Sequence, residues 1–315
     1  MIVRASAPGE IFLFGEHAVL YGKPALAAAI NLRTMVEGKP REDGRIEIIS
    51  DKIGWIRGLM KDGQFVEEKG VVEGKPATST LKDDKPDSAY DRFLYVIRCI
   101  EQINEKKETG GITINITSDL PTGSGLASSS AVTVATTGML SEYTGLNLSK
   151  EEILDIALKA EIDVQGAASK TGVGVATYGG LVEIRKDGNK TMVTPNYDFP
   201  EFPVVIGYTG IHGSTGEMVR IVRERYETLP DMVEKIMDDI GNIVERAKSL
   251  IFESKFNELG HLMDINHGLL NALGVSSREL ENLVIAARRA GALGAKLTGA
   301  GGGGCMYALV DSCLL

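Results

Sequence analysis

Cysteine is scarce. Cys99, Cys305 and Cys313 are the only three in 315 residues, too few and too scattered for a disulfide framework or a zinc pattern, and they read as reduced thiols. No apolar run reaches spanning length, and the N-terminus lacks a charged region followed by a signal-type apolar core. The expectation is a soluble, cytoplasmic chain with no membrane partner. Positive charge is in deficit: 34 Lys and Arg stand against 43 Asp and Glu, a net charge of −9. That argues against a nucleic-acid partner or an anionic membrane surface. A phosphate ligand would then need backbone N–H groups, a metal or a few placed cations. His212, His261 and His267 show no metal spacing and read as ordinary residues, and Trp55 reads as a packing residue. The rest is ordinary for a globular protein, with 43% apolar and 24% charged residues, enough for one large or two intimate domains.

Glycine is what the chain has in quantity, and it punctuates a recognisable order of elements. Residues 1–35 alternate short apolar runs with glycine turns and predict strands, as does "RIEIIS" at 45–50. Residues 57–88 are charged and glycine-rich and predict a long exposed excursion. Apolar residues at Phe93, Val96, Ile97, Ile100 and Ile103 predict a helix, and "GITINITSDL" (111–120) a strand. A helix follows from Ser128 to a C-terminal Gly145, then another opened by Ser149 and Glu152 at capping-box spacing. Residues 173–185 and 203–209 predict strands, 215–290 helices, and "GAKLTGAGGGGCMYALVD" strand, loop, strand. Strands in front and helices behind, without regular alternation, predict an α+β fold.

Two glycine loops stand out. "LPTGSGLASSSA" (120–131) lies between a predicted strand and a predicted helix, where free N–H groups and the helix dipole favour an anion. It is neither a Walker loop, having no Lys before its serines, nor a dinucleotide fingerprint. Taken alone, the loop reads more readily as a helix N-cap after a glycine turn. "LTGAGGGG" (297–304) carries five glycines between Gly299 and Gly304, flanked by strand-like segments. So costly a run in conformational entropy is expected where a ligand or another backbone must come close.

These loops, with "APGEIFLFGEHAVLYG" at 7–22, carry a resemblance. In order and spacing the three stretches resemble the three motifs of the GHMP-superfamily kinases, and within them the archaeal-type mevalonate kinase family. "VQGAAS", "TYGG" and "GYTGIHGSTGEMV" are similar to the same family, so the resemblance spans nearly the whole chain outside 57–88. It implies a two-domain GHMP kinase fold. Residues 1–180 would form a ribosomal S5 domain 2-like N-terminal domain with a left-handed βαβ feature, and 181–315 a ferredoxin-like C-terminal domain, with the site in the cleft between them. It also implies a reaction, ATP plus (R)-mevalonate giving 5-phosphomevalonate and ADP in isoprenoid biosynthesis. The resemblance puts Pro121, Gly123, Ser124, Gly125, Leu126, Ala127, Ser128, Ser129, Ser130 and Ala131 around the triphosphate. Ser129 and Glu161 would hold Mg2+, and Glu161 stands eleven residues before Gly172. Glu16, His17 and Thr215 would line the mevalonate pocket, closed by Gly299, Ala300 and Gly301.

The chain also departs from the family. Glu10 stands where the first motif has a Lys, and Gly172 where the family has the Asp proposed as catalytic base, with Lys170 in place of a Pro. A milder change is Ala127, where the loop often has Gly. Three expectations follow. Glu10 and Lys170 could be a relocated base and cation; the site could bind nucleotide without efficient turnover; or a loose transition state could need no base. A kinase of another small alcohol and a nucleotide-binding regulator are the alternatives. The sequence stops soon after "CMYALV", short of the further helix and strand usual in the family. The C-terminal sheet is therefore expected to have an exposed edge that a homodimer could cover.

Overall fold

The computed structural model describes residues 1–72, 75–76, 91–121, 123–166, 168–188 and 190–311. They form two compact units, and the chain passes between them more than once. The first unit is Met1–Gly9, Ile30–Leu120 and Ala127–Tyr178, and the second is Glu10–Ala29, Pro121–Leu126 and Gly179–Leu315. Strands β1 (Val3–Phe14) and β2 (Ala25–Pro40) each begin in one unit and end in the other.

In the first unit, β3 (Ile46–Ser50), β4 (Gly54–Lys61), β5 (Gln64–Val72), β6 (Lys75–Pro76) and β7 (Ile112–Ser118) join the end of β2 in the order β6-β5-β4-β3-β7-β2. β3 and β7 are parallel and are joined through helix α1 (Asp91–Lys106). Alternation sets the register: Ile46, Ile48, Ile112 and Ile114 all point to one buried face. Helices α2 (Ser128–Thr144) and α3 (Lys150–Gln165) pack with α1, and α4 (Lys170–Tyr178) packs on α2 and α3. α2 is surrounded by its neighbours, which is why small apolar and Thr residues replace an amphipathic stripe along it. Ser149 and Glu152 form the expected capping box, with bonds of 3.2 and 2.8 Å.

Two expectations fail here. Residues 57–72 are no excursion but most of the β4–β5 hairpin, turned through Asp62 (φ 50°) and Gly63 (φ 80°). An Asp-Gly pair is the residue choice such a tight turn requires, and the high charge of the segment obscured it. The hairpin is anchored where the Phe65 N–H donates to Glu101 on α1 at 2.9 Å. The Arg57 guanidinium covers Trp55 at 5.9 Å. Most of the remainder of that stretch lies outside the described residues. Residues 173–178 are helix, not strand. The Val-Gly-Val-Ala pattern reads as alternation, yet Thr171 to Ala176 are all buried against α2 and α3, and that packing overrides local preference. The expected strand starts only at β8 (Leu181–Asp187).

In the second unit the start of β2 pairs with β8, and β8 with β9 (Lys190–Asn196). A separate antiparallel sheet has the order β10-β12-β11, from β10 (Val204–Tyr208), β11 (Gly294–Leu297) and β12 (Cys305–Leu309). Helices α5 (Thr215–Thr228), α6 (Pro230–Phe252), α7 (Phe256–Ala272) and α8 (Arg278–Arg289) accompany it. Met218, Met237, Leu270, Val284, Leu297 and Met306 belong to one buried cluster shared by these helices and the sheet. Among the described residues, no helix is long and apolar enough to cross a membrane.

Candidate active site

In the first unit the candidate site starts at the N-terminus of α2. Ala127 precedes the helix in the left-handed conformation (φ 56°, ψ 41°), and no side chain caps it. Ala127 itself offers no side-chain acceptor to the first-turn N–H groups at Ser128 to Ser130, which suits an anion site. The Ser130 hydroxyl donates to Glu161 Oε1 at 2.8 Å, and the Ser129 hydroxyl also bonds that carboxylate. Glu161 is buried on α3. Burial pushes its pKa up, opposed by the two serine hydroxyls. α4 closes on the same point: a Cβ on Gly172 would stand 2.6 Å from Ser130 Oγ and 3.2 Å from Ala127 Cβ. Position 172 thus has no room for a side chain unless the Ser130 hydroxyl moves. Lys170, half-buried, is the first residue of α4.

In the second unit, Glu10 is buried in β1 and its N–H donates to the Leu126 carbonyl at 3.1 Å. Ser124 Oγ closes the loop's own turn on the Pro121 carbonyl at 2.8 Å. Gly123 (φ 69°) lies under the ring of His212, whose Cδ2 is 2.0 Å from where a Cβ would stand. Gly125, by contrast, faces open space.

The turn after β1 is tied to the segment that leaves β11. The Phe12 N–H donates to Thr298 Oγ1 at 2.7 Å, and that hydroxyl donates to the Phe12 carbonyl at 3.1 Å. Glu16 Oε1 accepts from the ammonium of Lys296, which also donates to the Leu297 carbonyl at 2.8 Å. His17 Nε2 bonds the Ala300 carbonyl at 2.8 Å. A carbonyl only accepts, so Nε2 carries the proton; burial holds His17 below its usual pKa, so Nδ1 keeps its lone pair. Among the described residues, neither Glu16 Oε2 nor His17 Nδ1, both buried, has a hydrogen-bond partner. Burial pushes Glu16 up to about 7, against the pull of Lys296, and pushes Lys296 down, against the pull of Glu16.

The glycine run is accounted for by backbone contact. Gly299, Gly301, Gly302, Gly303 and Gly304 all have positive φ. A Cβ on Gly301 would meet the Val275 carbonyl at 2.1 Å, and one on Gly304 the Ser124 carbonyl at 2.9 Å. The loop is pinned by Gly302 N–H to the Val275 carbonyl (2.7 Å) and Gly304 N–H to the Ile211 carbonyl (2.8 Å). Thr215 is the exposed first residue of α5, whose cap is Ser214.

Sequence reasoning passed over Lys296. Its signal is a lone lysine in the four-residue strand "GAKL", every residue of which is buried. His267, read as ordinary, is buried beside it: Nδ1 accepts from the Leu297 N–H at 3.3 Å, and Nε2 donates to Glu281 at 3.0 Å. Among the described residues no cluster of His, Cys, Asp or Glu is built to hold a metal by itself.

An anion-ready helix start beside a carboxylate–serine pair, and a second glycine loop pinned by backbone, are features of a phosphoryl-transfer fold, and the chain belongs to the GHMP kinases. The family's N-terminal domain matches residues 94–180 and its C-terminal region residues 230–312. Within that family the chain is 47% identical to the mevalonate kinase of Thermococcus onnurineus, over 98% of this chain and 89% of the relative. It is 46% identical to that of Pyrococcus abyssi, over 98% and 88%. Among solved structures it is similar to L. major mevalonate kinase in complex with R-mevalonate, with a TM-score of 0.79 at 28% identity, covering 98% of this chain and 87% of that one.

Proposed function

We propose that this chain phosphorylates (R)-mevalonate with ATP, giving 5-phosphomevalonate and ADP, as a cytoplasmic enzyme of isoprenoid biosynthesis. Similarity to mevalonate kinases over nearly the full length supports this reading. The observation that carries it in the structure is the uncapped start of α2 with Ser130 bonded to the buried Glu161.

The serine hydroxyls and the Glu161 carboxylate are hard oxygen donors, a set that suits Mg2+, and Ser129 and Glu161 would hold it. When bound, the ion supplies neutralisation of charge on the phosphate oxygens. The first-turn N–H groups of Ser128 to Ser130, uncapped by Ala127, bind the nucleotide's phosphates, helped by the positive end of the helix dipole. Glu16 Oε2 and His17 Nδ1, buried and without partners among the described residues, accept from the substrate's hydroxyl groups and orient it. Thr215 and the loop from Gly299 to Gly301 complete the substrate side. Phosphoryl transfer depends chiefly on such positioning and on charge stabilisation, and a loose transition state does not demand early deprotonation of the hydroxyl. The chain is thus a working kinase without an Asp at 172 and without a Lys at 10.

Phosphorus NMR of the chain with Mg-ATP and mevalonate tests this. The expected result is 5-phosphomevalonate above a no-enzyme control. No product, with nucleotide binding intact, would leave the second reading, a nucleotide-binding homologue that has lost turnover. The buried carboxylate of Glu10 is the observation that favours that reading. Stabilisation against heat by both mevalonate and Mg-ATP marks a kinase site, and by Mg-ATP alone a binding module.

A further inference from the structure

We infer that Lys296 is a positioning residue for the proposed reaction: its buried pair with Glu16 holds His17 and the start of the glycine loop in the pose that receives the substrate. The inference rests on the proposed kinase reading for its kinetic consequences, but not for its geometry.

Lys296 is completely buried, in the middle of a strand of the second unit. Its ammonium is enclosed on several sides. Glu16 Oε1 and the Leu297 carbonyl accept from it, while the rings of Phe14 and Tyr307 lie 5.7 and 5.3 Å away. The Tyr307 ring is itself fixed, because its hydroxyl donates to the Leu13 carbonyl at 2.9 Å. A buried ion pair is a poor device for stability, since each ion loses several kcal/mol of hydration and an apolar pair of similar volume is often as stable. What an apolar pair cannot do is direct. Lys296 takes one oxygen of Glu16 and leaves the other, Oε2, without a partner among the described residues. It also fixes the Leu297 carbonyl three residues before Ala300, whose own carbonyl determines which nitrogen of His17 carries the proton. One cation therefore sets both unpartnered acceptors of the candidate substrate site. The other charged or titratable groups facing this pair are His267, bonded to the Leu297 N–H, and Glu281 behind it.

The test uses the full chain and the variants Lys296→Met, Glu16→Gln and the double Glu16→Gln/Lys296→Met. Each single change leaves a buried group without its partner and lowers thermal stability, whereas the double variant is neutral and regains most of it. The expected result is that the double variant still loses about 10²-fold in kcat/KM for mevalonate, the scale of a displacement of about 1 Å. Nitrogen-15 NMR of His17 then shows the Nε2–H form in the parent and a mixture of tautomers in the double variant. Because Glu16→Gln also removes a carboxylate oxygen from the substrate site, the tautomer decides: an unchanged His17 tautomer in the double variant would overturn the inference and leave Lys296 a structural residue. If the double variant does not fold, Tyr307→Phe, which releases the ring beside the ammonium, carries the same readouts with a smaller change in the same direction. If the parent itself makes no phosphomevalonate, the kinase reading fails, while the His17 tautomer still decides the role of Lys296.

Discussion

The Ser130 hydroxyl on α2 donates a hydrogen bond of 2.8 Å to Glu161 on α3, in a buried site where the carboxylate has little other solvation. The two residues sit on neighbouring helices and are brought together by the packing of α2 on α3. Most of what is predicted for the nucleotide side of the site depends on that contact.

Glu161 should make stability fall with rising pH. Its folded pKa lies above the ordinary 4.5, so the folded chain keeps a proton that the unfolded chain has released. The stability linked to that proton is fully present below pH 4.5 and is lost as pH rises through the folded pKa. Urea melts from pH 4 to 8 of the parent and of Glu161→Gln should show the parent losing its relative advantage across this window, by at most about 1.4 kcal/mol per pH unit. A difference that grows with pH would contradict the assignment. Mg2+ affinity should run the other way, rising with pH as the carboxylate gives up its proton.

Gly172→Ala tests the contact from the α4 side. Helix propensity alone would favour alanine by about 1 kcal/mol. A Cβ there would stand 2.6 Å from Ser130 Oγ, however, and the hydroxyl could yield only by leaving Glu161. The expected outcome is a net loss of about 1–2 kcal/mol in denaturant melts, as for an overpacked core. Weaker Mg-ATP binding by calorimetry should accompany it. Gain of stability with unchanged nucleotide affinity would show that Ser130 is free to move.

The glycine loops give a paired prediction. Gly301 has φ 84° and a backbone carbonyl 2.1 Å from where a Cβ would stand, so Gly301→Ala must move the loop. Gly125 has φ 78° with open space around it, so Gly125→Ala meets only the left-handed backbone penalty, about 1–2 kcal/mol. Thermal melts should rank Gly301→Ala as clearly the more damaging. Equal effects would mean that the Val275 contact is not a constraint.

The parts of the structure legible in the sequence were those with local causes. The helix from Ser128 to the Gly145 cap, the Ser149–Glu152 box and the strand–loop–strand end all follow from caps, turns and alternation. The requirement for glycine between Gly299 and Gly304 was legible too, though which backbone came close was not, because Val275 and Ile211 are distant in sequence. Tertiary causes were hidden. α4 is helical because α2 and α3 bury it, and its own residues argue otherwise. Lys296 was missed for the same reason: its partner Glu16 lies 280 residues away, and a lysine in an apolar strand carries no mark of the carboxylate it meets.

Glu10 gives the sharpest test of the chemistry. Its N–H is bonded to the Leu126 carbonyl at the end of the proposed phosphate loop, and its side chain is buried. On the proposed reading, a carboxylate at this position would oppose the charge of a bound triphosphate and the charge that develops during transfer. Glu10→Lys reverses that sign at the position where the resemblance drawn from the sequence expects a cation. It should raise kcat, by about 10–10³-fold if the new cation reaches the transferred group. Lys170→Ala should cost less than about tenfold, because positioning and charge stabilisation, rather than a base and cation relocated to Glu10 and Lys170, carry the reaction. Steady-state rates with mevalonate decide between these. A collapse of the rate in both Lys170→Ala and Glu10→Gln would establish the relocated pair instead, with Glu10 acting on the substrate hydroxyl and Lys170 on the phosphate.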